Sequence, residues 1–238
     1  MGRLILIWAA LMGLFLLLSV SRSETEEVRQ ALVRFMIQIS PGNINRSANW
    51  GWNLTSDPCI WQGVVCNAIS KSVRIIHLDK LNLIGVLDAN SLCVAKSLTH
   101  LSLNHNQIVG NLPEGISNCS QLRRLFIRGN NFSGILPGSL SKLSNLIMLD
   151  ISSNGFSGEL PDLPRISGLV GFLADNNDLS GRIPEFNYLN LRAFNVSYNN
   201  FSGPIPDVHG HFNASSFSGN PGLCGKPLQT PCPSPPPS

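Results

Sequence analysis

The sequence predicts an α/β repeat solenoid, a chain wound into short coils whose strands align in one parallel sheet. Three observations predict it. "LFIRGNNFSGILP" (Leu125 to Pro137) returns 24 residues later as "LDISSNGFSGELP" (Leu149 to Pro161), with leucine, asparagine, glycine and proline in the same places. Writing L-x-x-L-x-L-x-x-N-x-L-x-G-x-I-P down the chain gives six coils, whose asparagine positions are Leu81 (a substitution), Asn106, Asn130, Asn154, Asn177 and Asn199. The residues before each asparagine alternate: in "LTHLSLNHN", Leu101 and Leu103 face one way and His100, Ser102 and Asn104 the other, the period of a short strand. A single such strand cannot bury its apolar side, so coils stack and share a core.

The elements follow in chain order. Residues 1–23 read as a secretory signal, with Arg3, an apolar run from Leu4 to Leu18, and small residues allowing cleavage after Ser21 or Ser23. The run is short for a membrane span. Without Arg3 and Arg22 the formal count falls from 17 basic residues to 15 against 14 acidic, a net charge of +1, which points away from a polyanion partner. No second apolar run follows. Residues 24–72 form an N-terminal cap: "TEEVRQALVRFMIQI" puts Val28, Leu32, Phe35 and Ile39 on one helical face, and Trp50, Trp52 and Trp61 add bulk. Residues 73–211 hold the six coils. Their asparagine amides sit where the chain leaves the strand and can satisfy backbone groups that the turn leaves open. The following "SG" or "VG" allows a sharp turn, proline ends regular pairing, and stretches such as "GSLSKLSN" return on the convex side with Leu140 and Leu143 inward. Residues 212–238 form a C-terminal cap and a stiff Pro-rich tail, "PCPSPPPS". Six cysteines in a secreted chain allow 15 pairings.

The forms "NNFSGILP", "NGFSGELP", "NDLSGRIP" and "NNFSGPIP" resemble plant extracellular leucine-rich repeats. "WGWNLTSDPCIWQGVVC" is similar to the N-terminal cap of plant receptor-like kinases. "FNVSYNNFSGPIP" with "SSFSGNPGLCGKPLQTPCPSPPPS" resembles the last repeat, cap and stalk of a short-ectodomain group that includes pollen receptor-like kinases and many "probable inactive" receptor kinases. In that family a membrane span and a kinase-like domain follow, and this sequence contains neither. The resemblance implies a right-handed superhelix with the parallel sheet concave, loops and 3-10 turns convex, and a helical N-terminal cap. It also implies a Cys59–Cys66 pair closing the first cap and a Cys224–Cys232 pair stapling the second. Cys119 aligns with Leu143 and is expected as a buried thiol, a Cys93–Cys119 bridge being the second reading.

Outward strand residues form three columns: Ile75, His100, Arg124, Met148, Gly171, Ala193; His77, Ser102, Phe126, Asp150, Leu173, Asn195; and Asp79, Asn104, Arg128, Ser152, Asp175, Ser197. Packing is not expected to dictate them, so a partner can. Six strands about 4.8 Å apart give a surface of roughly 25–30 Å, enough for an extended peptide of about eight residues. Within the grid, Phe126 between Arg124 and Arg128, with His100, Met148, Asp150 and Leu173 around it, is the candidate site for an acidic or carboxylate-bearing peptide. Its alternative is a filled dent among solvated arginines. His77, His100 and His105 read as polar surface. Sequons begin at Asn45, Asn53, Asn118, Asn131, Asn195, Asn200 and Asn213. A glycan on Asn195 would block the C-terminal end of the concave face.

No G-x-S-x-G, H-E-x-x-H, P-loop or kinase motif occurs, and no Cys/His cluster suggests a metal, so no catalytic activity, cofactor or metal is expected. The function expected from the resemblance is the extracellular ligand-binding module of a plant receptor-like kinase, with a peptide or protein ligand, a co-receptor ectodomain as further partner, and no nucleic acid. Its place is outside the cell, or at the plasma membrane as part of a longer receptor. The second reading is a soluble secreted repeat protein acting as an enzyme inhibitor or decoy receptor.

Overall fold

The structure, a computed structural model, describes residues 26–43 and 49–233. The signal segment 1–23, Asn45 and residues 234–238 of the Pro-rich tail lie outside them.

Two sheets run the length of the solenoid. Seven strands make the first, the concave sheet: β1 (Val64–Cys66), β2 (Val73–His77), β3 (His100–Ser102), β5 (Arg124–Phe126), β7 (Met148–Asp150), β9 (Gly171–Leu173) and β11 (Ala193–Asn195). From β2 onward the pairing is parallel and in register, with Ile76, Leu101, Leu125, Leu149, Phe172 and Phe194 opposite one another and buried. β1 alone is antiparallel and covers the first edge, so the cap ends the sheet with its own backbone.

The second sheet corrects the reading of N-x-F-S-G as a turn. The chain leaves each asparagine as another strand: β4 (Val109–Gly110), β6 (Asn131–Ile135), β8 (Gly155–Glu159), β10 (Asp178–Gly181), β12 (Asn200–Pro204) and β13 (Gly222–Cys224) stack as a lateral parallel sheet. Phe132, Phe156, Leu179 and Phe201 point inward from it and are fully buried, and the Phe132 and Phe156 rings stack 5.9 Å apart. The glycines do bend the chain, but inside the strand. Gly134 and Gly158 take φ of 75° and 73°, where side-chain-bearing residues are strained.

The convex side returns through helix α2 (Ala89–Leu92) in the first coil and 3-10 turns at Glu114–Asn118, Gly138–Lys142 and Leu163–Arg165 in later ones. Asp88 caps α2 by accepting from the N–H groups of Asn90 and Ser91. Leu140 and Leu143 are fully buried. Here the buried-thiol reading of Cys119 fails: Cys93 and Cys119 form a disulfide with their Cα atoms 4.6 Å apart. The two cysteines sit two positions out of phase in the repeat. The first coil closes with an α-turn and the second with a 3-10 turn, which advance the chain by different amounts per residue and bring the sulfurs together.

Helix α1 (residues 26–39) covers the first end of the core with Leu32, Phe35, Met36 and Ile39 fully buried and Val28 half-buried. Trp52 sits between Phe35 and Trp61, tilted against both rings, with centroids 6.3 and 4.8 Å away. Both buried indoles are satisfied, Trp52 Nε1 donating to Gln62 O and Trp61 Nε1 to Ser56 Oγ. Cys59 and Cys66 are bridged beside them. At the far end Val196 and Tyr198 donate their N–H groups to Ser216 and Ser218, and the Cys224–Cys232 bridge closes the tail. Among the described residues no helix is long and apolar enough to cross a membrane.

Candidate functional site

The asparagines set the geometry of the concave face. Each side-chain amide donates to a carbonyl of the coil before it and to carbonyls of its own coil, while its oxygen accepts from a backbone N–H of the coil before. Asn177 Nδ2 donates to Ile151 O and Ala174 O, and Oδ1 accepts from Phe156 N. Asn106, Asn130, Asn154 and Asn199 repeat this pattern. Leu81 breaks the sequence pattern without breaking the ladder, because the first coil has no coil before it to complete. A sixth asparagine, Asn220, does the same for the last coil, donating to Val196 O and accepting from Phe201 N. Its signal was a further step of 21 residues (199 to 220) inside the cap segment.

The three outward columns stand in register as strand neighbours, but they are not equally free. The third is largely scaffold. Ser152 is 0% exposed and donates its hydroxyl to Asp175 Oδ1. Asn104 Oδ1 accepts from Arg128 N, and Asp79 accepts from Ser102 Oγ and Asn104 N. Asp150, a candidate contact, is 8% exposed and accepts from Ser152 N, so it braces the turn. Packing therefore does dictate part of the grid.

In the second to fifth coils, what remains open lies mainly in the first two columns. Arg124 is exposed and its Nη1 contacts His100 Nε2. Thr99 Oγ1 holds the other His100 nitrogen at 2.8 Å. The imidazole is thus more than plain polar surface: burial pulls its pKa below the ordinary 6.5, and Arg124, Arg123 and Arg74 push the same way. Phe126 and Arg128 are half-buried on the same strand and its continuation. Met148 and Leu173 are half-buried one and two coils on, and Gly171 between them is buried. The face is therefore cationic over its first half and apolar over its second. His77 Nε2 lies 3.0 Å from Asp79 Oδ2 at the first coil.

The sequons fall around this face. Asn118, Asn131, Asn200 and Asn213 are exposed on convex, lateral and cap surfaces. Asn53 holds its own turn by accepting from Thr55 N and Ser56 N. Asn195 stands in the second column, accepting from Ser197 N. No group of three or more His, Cys, Asp or Glu side chains is placed to hold a metal among the described residues.

Comparison with known proteins places the molecule. A family model for the leucine-rich repeat N-terminal domain matches residues 28–67, and leucine-rich repeat models match residues 96–156 and 190–212. Pollen receptor-like kinase 2 of Arabidopsis thaliana is 32% identical over 97% of this chain and 34% of its own length. Pollen receptor-like kinase 1 of the same plant is 34% identical over 87% of this chain and 30% of its own. The chain thus spans about a third of the length of the curated relatives it matches. Among solved structures, Pollen Receptor Kinase 3 superposes with a TM-score of 0.71 at 28% identity, over 82% of this chain and 94% of that one. The BIR3–SERK2 complex from Arabidopsis thaliana gives 0.61 at 29% identity, over 86% and 98%. The Arabidopsis receptor kinase HAESA, solved with the peptide hormone IDA and the co-receptor SERK1, gives 0.50 at 30% identity, over 68% and 32%. Stacked coils, asparagine ladder, paired caps and these likenesses agree: the chain belongs to the leucine-rich-repeat family, as an ectodomain of the plant receptor-like kinase type.

Proposed function

We propose that this ectodomain binds an extracellular peptide or protein on the concave face of its second to fifth coils, as the ligand-reading part of a receptor-like kinase. The observation that carries the reading is the Arg124–His100 contact beside Phe126, on a face where Ser102, Asp150 and Ser152 are tied into the scaffold. Arg124 and Phe126 are spared by folding and are of the types that dominate binding hot spots. Arg124 supplies a fork for a carboxylate, and Met148 and Leu173 supply the apolar half. An extended peptide suits the shelf; a folded co-receptor ectodomain needs the caps or rims as well, since a stable interface covers about 800 Å² a side. Solved neighbours captured with a peptide hormone or with SERK co-receptors support both classes of partner. The role is binding, and the site of action is the cell exterior. The receptor-kinase relatives favour this over a soluble inhibitor or decoy.

The test is a display library of eight-residue peptides panned against the folded ectodomain, with the hits titrated against Arg124→Ala plus Phe126→Ala. Loss of about 30-fold in affinity is expected, the roughly 2 kcal/mol of a hot-spot pair. Unchanged affinity for every hit overturns the concave-face reading.

A further inference from the structure

The lateral sheet begins with an apolar row that the fold does not cover. Ile84, Val86 and Val109 are 52%, 46% and 41% exposed, while Leu83, Leu87 and Ile108 beside them do the packing. Val86 bridges Val109, and Val109 pairs in parallel register with Asn131. In-register neighbours of a parallel sheet point the same way about 4.8 Å apart, so Val86, Val109 and Asn131 form one outward row across three segments. Phe132, the next residue of β6, points inward and is fully buried.

The backbone at this edge is already paired: Gly85 N donates to Ile39 O and Val86 N to Gln38 O at the end of α1. An added strand from a partner would find no open ladder there. What is left is a face of methyl groups, which a flat group lying on top can close. Asn131 opens the sequon Asn-Phe-Ser at the end of that row. Its side chain is exposed and hydrogen-bonds no other group among the described residues, whereas Asn130 before it is buried in the ladder. The same Asn-Phe-Ser motif at Asn200 faces Ser180 instead, with no aliphatic partner in register.

We propose that Asn131 carries an N-linked glycan whose first N-acetylglucosamine lies over Val109 and Val86 and shields the start of the lateral sheet. A pyranose ring presents C–H groups on its face and hydroxyls at its rim, and its acetamide adds a methyl group. That chemistry fits a narrow aliphatic row bordered by water. The sugar therefore serves the ectodomain's own surface, independently of any ligand on the concave face.

The full chain, produced through a plant secretory pathway, tests this in three steps. Glycopeptide mass spectrometry should find Asn131 occupied. Asn131→Gln and Ser133→Ala both erase the sequon, and both should raise the fluorescence of a hydrophobic-surface dye and the light scattering of the folded protein; Asn200→Gln should not. Enzymatic trimming of the folded wild type to a single sugar should leave the dye signal low, and complete removal should raise it, which separates shielding from any effect on folding. Adding Val86→Ser and Val109→Ser to Asn131→Gln should abolish the rise. An unmodified Asn131, or an Asn131→Gln signal equal to that of Asn200→Gln, overturns the proposal. So does a glycosylated dimer that the two serine substitutions dissociate, which would assign the row to a second copy of the chain.

Discussion

Met148 lies across Gly171: a β-carbon built on Gly171 would stand 1.9 Å from the Met148 sulfur. The absent side chain is what lets the methionine rest flat on the concave sheet. Gly171→Ala should lift it. Because the clash is with the end of a flexible side chain, and alanine also reduces the freedom of the unfolded chain by about 0.4–1 kcal/mol, net stability should change by less than about 1 kcal/mol. The Met148 methyl resonance should shift and sharpen in an NMR spectrum, and selected peptides should bind more weakly. An unmoved methyl signal would show that the contact does not hold the side chain.

The Cys93–Cys119 bridge ties the first two convex turns together across 26 residues. On the chain-entropy account a loop of that size is worth about 3.5 kcal/mol. Replacing both cysteines with alanine should lower the urea midpoint accordingly, leaving the peptide affinity of the concave face intact. The bridge is buried, so thiol reagents should label Cys93 and Cys119 only after a reductant is added, and faster when the chain is also unfolded.

Asn177→Ala takes the Asn177 oxygen from the N–H of Phe156, while the carbonyls of Ile151 and Ala174 keep the amides of Asn154 and Asn199 as donors. At about 1–3 kcal/mol for one buried group left open, a loss of about 2 kcal/mol is expected. Denaturant unfolding measures it. Hydrogen exchange should accelerate at Phe156 rather than throughout the sheet.

His100 should make the ectodomain less stable in mild acid. Its folded pKa is depressed, so the folded state favours the neutral ring while the unfolded state titrates near 6.5. Stability from this source is fully present above 6.5 and falls as the pH drops towards the folded value, because the unfolded chain takes up a proton that the folded chain refuses. Comparing thermal unfolding at about pH 7.5 and about pH 5, His100→Gln should lose less stability than the wild type. Arg124→Ala should fall between them, since burial, the larger cause, stays in place.

Much of this was legible from the repeat. Leucines at period two announce the concave sheet, and asparagines at nearly constant steps announce the ladder. The lateral sheet was hidden because N-x-F-S-G combines residues that elsewhere mark turns, and only stacking against identical neighbours makes them a strand. Ser152 and Asp175 look like surface in the sequence, yet they satisfy each other across adjacent coils and are buried. The Cys93–Cys119 bridge depends on one coil using an α-turn where the next uses a 3-10 turn, which their spacing does not encode. The Arg124–His100 pair was visible as adjacent positions in one column; the contact needed the side chains.

The ladder also has a direction. Asn106, Asn130, Asn154, Asn177, Asn199 and Asn220 each reach back to complete the coil before. A ribosome delivers the amino-terminal coils first, so each emerges with an open N–H that only the asparagine of the next coil can close. The ladder therefore closes in chain order, each coil completed by the one that follows it. A chain stopped early would end on an uncompleted turn, the kind of exposed edge that secretory quality control is suited to detect.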